Sequence, residues 1–149
     1  TLAAWAAPAH AAKVVTLSFK TQLANVSDET TTYGSRQYGT ATFQGTASVG
    51  GEEVTVRRDS VINYNSGSGS IGGFVTLIWK DGSRLSMEVS GSTLSYSSGA
   101  AFNASLQVFS ATGRWKGFIG HGIMRGGRTG PLGTVPDTYA FQITLKPPA

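Results

Sequence analysis

His121 is the side chain best suited to carry a proton near neutral pH, and its neighbours decide what it could act on. Counted by twos along a strand, Trp115, Ile119, His121, Ile123 and Arg125 share one face, with Phe118 and Met124 opposite. If the first face lines an interior, an imidazole and a guanidinium sit beside an indole in a mostly apolar pocket, fit to polarise a carbonyl or hold a carboxylate. The same spacing also describes a hydrogen-bonded structural histidine with an arginine at the rim. Arg57 and Asp59 form a second pair on one strand face, with Arg58 directed the other way. They are either a polar anchor for a ligand or a solvent-facing ion pair of small energetic weight. Trp79, Tyr96 and Trp115 supply aromatic surface for an apolar or amphipathic molecule.

Other chemistries are poorly supplied. The chain has no cysteine, which removes disulfides, thiolate metal sites and cysteine nucleophiles. His10 lies near the N-terminus and His121 stands alone, so no metal set assembles and no metal or cofactor is expected. Gly117-Phe118-Ile119-Gly120-His121-Gly122 has the glycine density of a nucleotide loop, yet no helix follows to receive a phosphate, and such glycines suit bulges and barrel bends. A serine hydrolase lacks its elbow, and Glu88 alternates with Ser86 and Ser90 toward water. The net charge of +4 is modest, and Arg114, Lys116, Arg125 and Arg128 alternate across faces without a stacking platform, so no nucleic-acid partner is expected.

The elements that must position these residues are strands. In 149 residues there are 20 glycines and only 13% charged positions, which disfavours helical bundles, while 40% hydrophobic content excludes a disordered chain. From Lys13 onward the apolar period is two. Val15, Leu17, Phe19 and Leu23 mark a first strand, and Ala41, Phe43, Ala47 and Val49 mark a second running from about Ser35. Gly50-Gly51 turns the chain into a third, from Val54 to Tyr64. Asn65 to Ser70 has the composition of a flexible loop, and Gly73 to Trp79 follows as a strand. Asp81-Gly82 is a hairpin signal leading to the alternation of Leu85, Met87 and Val89. Phe102 to Val108, Trp115 to Met124 and Tyr139 to Leu145 complete eight strands in a single domain spanning 12–149. The predicted fold is all-β, a single eight-stranded antiparallel up-and-down β-barrel that closes its own edges, with a two-sheet β-sandwich as the alternative.

Three stretches resemble the allene oxide cyclase barrel-like superfamily, which includes allene oxide cyclases, dirigent proteins and bacterial cyclase-like barrels. They are Gly69 to Gly82 with its Phe74-Val75-Thr76-Leu77-Ile78-Trp79 core, Ala111 to Gly122 with Gly113-Arg114-Trp115 followed by spaced glycines, and Tyr139 to Leu145. The resemblance covers the C-terminal half. It implies a small antiparallel barrel with an apolar lumen, assembly into homo-oligomers, and an isomerase or cyclase among the functions to weigh. It carries over no catalytic set.

The start of the chain, Thr1 to Ala11, is uncharged and alanine-rich and ends in Ala9-His10-Ala11, the small-x-small pattern of signal cleavage. Residues 1–11 are therefore expected to be the remainder of a secretory signal, and the protein to be secreted or periplasmic; the alternative is an arm packed on the body. No stretch approaches the roughly 18 apolar residues of a membrane span. Three functions follow. The first is a secreted barrel binding a small hydrophobic or amphipathic molecule in its lumen, with Trp79, Tyr96, Trp115, His121, Arg125, Arg57 and Asp59 as contacts. The second is a cyclase or isomerase that confines a reactive substrate, with His121 or Arg125 as the catalytic candidate. The third is a structural or surface-interaction barrel with a packed lumen.

Overall fold

In a computed structural model that describes residues 13–149, the chain forms eight antiparallel strands closed into one barrel. They are β1 (Val15–Tyr33), β2 (Arg36–Val49), β3 (Glu52–Asn65), β4 (Ser68–Trp79), β5 (Arg84–Tyr96), β6 (Gly99–Ala111), β7 (Ile119–Arg128) and β8 (Asp137–Lys146). Each strand pairs with its sequence neighbours, and β8 closes on β1 through Val15↔Leu145 to Leu23↔Asp137. Closure leaves no free edge and decides against the sandwich. The residues of the expected signal segment lie outside the described residues.

Alternation carries the fold. Leu17, Phe19 and Leu23 of β1, Val54, Val56 and Ile62 of β3, and Tyr139, Phe141, Ile143 and Leu145 of β8 all point into the lumen and are buried. Facing side chains interlock there: the Phe19 and Phe141 rings stack with centroids 5.0 Å apart. The lumen is consequently filled for most of its length, as an eight-stranded barrel of this bore allows.

Two sequence expectations about elements need correction. Asn65 to Ser70 is not a six-residue loop. Its turn is confined to Ser66 and Gly67, both at positive φ (52° and 83°), and β4 already pairs from Ser68 with Asn65. Glycine and serine composition there serves a tight turn and a strand paired on both sides, which backbone hydrogen bonds hold regardless of side-chain propensity. The penultimate strand does not start at Trp115. Gly113, Arg114 and Trp115 form a short 3₁₀ turn, and Gly113 and Gly117 hold positive φ (62° and 83°), so the chain bends before β7 begins at Ile119.

The barrel has two different ends. The β2–β3 and β4–β5 turns and the 3₁₀ segment gather at one, hereafter the plugged end. The β1–β2, β3–β4 and β5–β6 turns and the longer β7–β8 loop, residues 129–136, gather at the other, hereafter the mouth.

Candidate functional site

At the plugged end, Trp115 leaves the 3₁₀ turn and folds over the lumen, buried against Trp79 with ring centroids 5.1 Å apart. Phe118 meets the other side of Trp115 at 5.3 Å, edge to face. Arg114 clamps this lid from outside: its guanidinium lies 5.7 Å above the Trp79 ring and binds Glu52 and Asp81, with Nη2 donating to Asp81 Oδ2 at 2.9 Å. Hydrogen bonds from Arg114 hold Glu52 below the ordinary carboxylate range; for Asp81 the backbone N–H of Ser83 is the larger cause and Arg114 the next. Trp79 and Trp115 therefore do come together, as core rather than as the walls of an open pocket.

The face expected to hold His121 in the lumen is reversed. Ile119, His121, Ile123 and Arg125 point outward, and Met124 on the other face is fully buried. The cause is the bend before β7, which breaks the count by twos that linked Trp115 to His121. The positions of β7 between these outward residues include Gly120 and Gly122, where a side-chain carbon would run into the β8 carbonyls of Thr144 and Gln142 and crowd Leu145 and Ile143. His121 lies between Gln107 and Thr144 in the strand ladder and lines a shallow outer concavity of about 650 Å³ with Glu88, Ile119 and Lys146. Arg125 joins Tyr96 and Lys20 in another outer concavity of about 710 Å³. Tyr96 is half-exposed and also borders the mouth. Arg57 and Asp59 form the outward ion pair, Nη2 to Oδ1 at 3.2 Å, with both side chains about half exposed.

The polar chemistry inside the barrel belongs to other residues. Arg58 is 1% exposed and its side chain enters the lumen between Phe43 and Val75, its ladder partners. It donates from Nη1 to the carbonyls of Asp59 (2.6 Å) and Phe74 (3.1 Å), and from Nη2 to the carbonyl of Gly72 (2.7 Å). The Gly72 and Phe74 carbonyls flank Gly73, which takes φ of 88° where the β4–β5 ladder is interrupted between Ile71↔Gly91 and Phe74↔Glu88, and the Asp59 carbonyl faces them from β3. Burial lowers the Arg58 pKa from its ordinary value, yet a guanidinium bound to three carbonyls stays charged.

Nearer the mouth stand Arg128 and Asp137, 7% and 1% exposed, with Nη1 and Oδ1 3.7 Å apart, an ion pair too long to be a hydrogen bond. Arg128 also lies over the Phe102 ring at 5.1 Å. Tyr139 donates to Asp137 Oδ2 at 3.0 Å, and the hydroxyls of Tyr64 and Thr93 bond each other at 2.9 Å. Burial raises the Asp137 pKa, against the pull of Arg128, the hydroxyl of Tyr139 and Arg58. Burial and the neighbouring Asp137 likewise push the Tyr139 phenol well up, so it remains a donor.

Arg58, Arg128, Asp137 and Tyr139 converge on an inner cavity of about 10 Å³, scarcely the room of one water. Above it, a basin of about 440 Å³ opens at the mouth between Gln37, Tyr96, Ser97 and the β7–β8 loop. Tyr64, Arg128 and Leu132 line both spaces and so form the neck between them. The chain matches no family model, no curated protein and no solved structure.

Sequence reasoning missed this cluster, although part of the signal was present. Arg58 alternates in step with Val54, Val56 and Ile62, so parity placed it inside, but a lone charge on an apolar face carries no chemistry until its partners are known. Arg128 and Asp137 flank the β7–β8 loop and meet across that hairpin, while Arg58 on β3 reaches them only because the barrel closes.

Proposed function

We propose that the protein is a small-molecule-binding barrel whose ligand enters at the mouth, with its polar part directed to the Arg58, Arg128 and Asp137 cluster. The single observation that carries this reading is the pairing of a basin of about 440 Å³ with buried ionisable side chains directly beneath it. Fixed polar groups at the bottom of a concavity are what a ligand site uses to set orientation. Tyr96 is retained as a contact at the rim; Trp79, Trp115, His121 and Arg125 are not part of this site. An amphipathic ligand suits it better than a purely apolar one, since serine and threonine border much of the basin.

Binding of the neutral dye N-phenyl-1-naphthylamine tests the proposal. Fluorescence enhancement that Leu132→Trp abolishes by filling the neck supports it. Enhancement unchanged in that variant, or none at all, refutes it.

A packed structural barrel is the second reading, favoured by one observation, the closed lumen with only about 10 Å³ inside. The cyclase alternative is weaker on this geometry, because the histidine that would carry its proton faces outward. The relationship to the allene oxide cyclase barrel-like superfamily is likewise a proposal, supported by the quoted motifs and compatible with an eight-stranded barrel. We further propose export from the cytoplasm, on the strength of Ala9-His10-Ala11. Mass spectrometry of exported protein should find an N-terminus at Ala12, and a retained leader would overturn that assignment.

A further inference from the structure

Among the described residues, the inner cluster has more positive than negative groups. Two guanidiniums, Arg58 and Arg128, face one carboxyl, Asp137, and all three side chains are more than nine-tenths buried. A buried charge that lacks a partner is costly, and each of these groups is only partly answered. Arg58 Nε and Arg128 Nε have no acceptor, and Asp137 Oδ1 has no hydrogen-bond donor within reach. The Tyr64 hydroxyl is paired with Thr93 and the Tyr139 hydroxyl with Asp137, and neither oxygen accepts from Arg58 Nε or Arg128 Nε. One further negative group with two acceptor oxygens would answer both free N–H donors and balance the second arginine.

Of the three side chains that line both spaces, Tyr64 and Arg128 are held on strands and only Leu132 is on a loop. Leu132 lines both the basin and the inner cavity, and it sits in the eight-residue loop 129–136 between Gly130 and Gly133, the latter at φ of 79°. That loop makes its own internal turn, with the N–H and hydroxyl of Thr134 donating to the carbonyl of Pro131 at 3.1 and 2.7 Å. It can thus move as a unit without breaking a strand ladder.

We propose that the mouth binds a small organic carboxylate head first, its two oxygens bridging Arg58 and Arg128, with Leu132 displaced from the neck and closing on the ligand's apolar body. This rests on the mouth being the ligand site and adds the head-group chemistry. Asp137 then sets the strength of the interaction, since its carboxyl competes with the ligand for Arg128. The apolar body lies in the basin against Leu132, Tyr64 and Ala100, and the ligand is a monoanion of modest length because the filled lumen stops it beyond Arg58.

The test uses hexanoate and benzoate, with hexanol and benzyl alcohol as neutral mimics, titrated calorimetrically into the full chain. Both acids should bind at least about tenfold more tightly than their alcohols, the worth of a charge-assisted pair. Arg128→Met should erase that preference while leaving alcohol binding in place, and Asp137→Asn should tighten acid binding several-fold. Should Arg128→Met fail to fold, Arg128→Lys serves instead: it keeps the charge, removes the planar fork, and should weaken acid binding alone. Leu132→Ala should speed association of the acids. Equal binding of acid and alcohol, sensitive to filling the neck with Leu132→Trp, would overturn the carboxylate inference and leave the mouth as a ligand site. Acid preference that survives Arg128→Met also overturns it. Failure of all four compounds and of the neutral dye sinks both readings together.

Discussion

The two ends of the barrel place their charged groups on opposite sides of its wall. At the plugged end the inside is aromatic and the charges are outside, where Arg114 joins Glu52 and Asp81 in water. At the mouth the charges are inside, and Arg58, Arg128 and Asp137 take space that apolar side chains fill elsewhere. The first arrangement removes apolar surface from water and leaves ions hydrated, which is what stability alone would select. The second desolvates three ionisable groups and completes the hydrogen bonds of none of them, which stability alone would avoid. We read this departure from the cheapest packing as support for the proposed ligand site.

The largest effect that sharpens this contrast is Trp115→Ala. It removes the indole from a filled end and should cost about 3–5 kcal/mol in urea unfolding. A loss below about 1 kcal/mol would mean that the plug is loosely packed and that the two ends are more alike than described.

Arg58→Met comes next. The side chain is as deeply buried as any in the core, yet relief of desolvation offsets part of the loss, leaving the stranded carbonyls of Gly72 and Phe74 as the main cost, about 1–3 kcal/mol. If it costs more than Trp115→Ala, the cluster holds the barrel together, and the structural reading gains.

The pH dependence should have opposite sign at the two ends. The Asp137 carboxyl is raised by burial from its ordinary value of 3.8, so its neutral form contributes stability fully present below that value and lost as pH rises through the folded value. Asp137→Asn lacks that loss and should gain on the wild type as pH increases. Asp81 is lowered from 3.8 by hydrogen bonds from Ser83 and Arg114, so its contribution is present above that value and lost as pH falls through the folded one. Asp81→Asn should therefore be less stable than wild type at neutral pH and converge with it in acid. Thermal melts across a pH series read both, and equal slopes would erase the distinction.

Arg114→Ala should give the smallest change. Its partners are hydrated, and the difference from wild type should largely vanish at about 1 M salt, where exposed pairs are screened. A large salt-independent loss would show that Arg114 acts through its contact with Trp79 instead.

The part of this molecule that could be read in advance follows from short-range rules. Strand parity placed Leu17, Phe19, Phe43, Leu85, Phe102 and Ile143 on the apolar faces that prove buried, and Gly50-Gly51 and Asp81-Gly82 marked turns, because alternation and positive φ are local properties. Where a local irregularity intervened, the count failed. The bend at Gly113 and Gly117 reversed the face of His121, and no rule of spacing announces a bend between two stretches that are each strand-like.

By itself the sequence determined the all-β class, eight strands, the inward set of most of them and the absence of cysteine chemistry. It also carried the parity that sends Arg58 inward. Tertiary structure alone decided that the sheet closes, that Trp115 caps Trp79, and that Arg58, Arg128 and Asp137 meet beneath Leu132. The reason is separation along the chain: Arg58 and Asp137 lie on strands that do not pair with each other, and only the curvature of a closed barrel brings their side chains across the lumen.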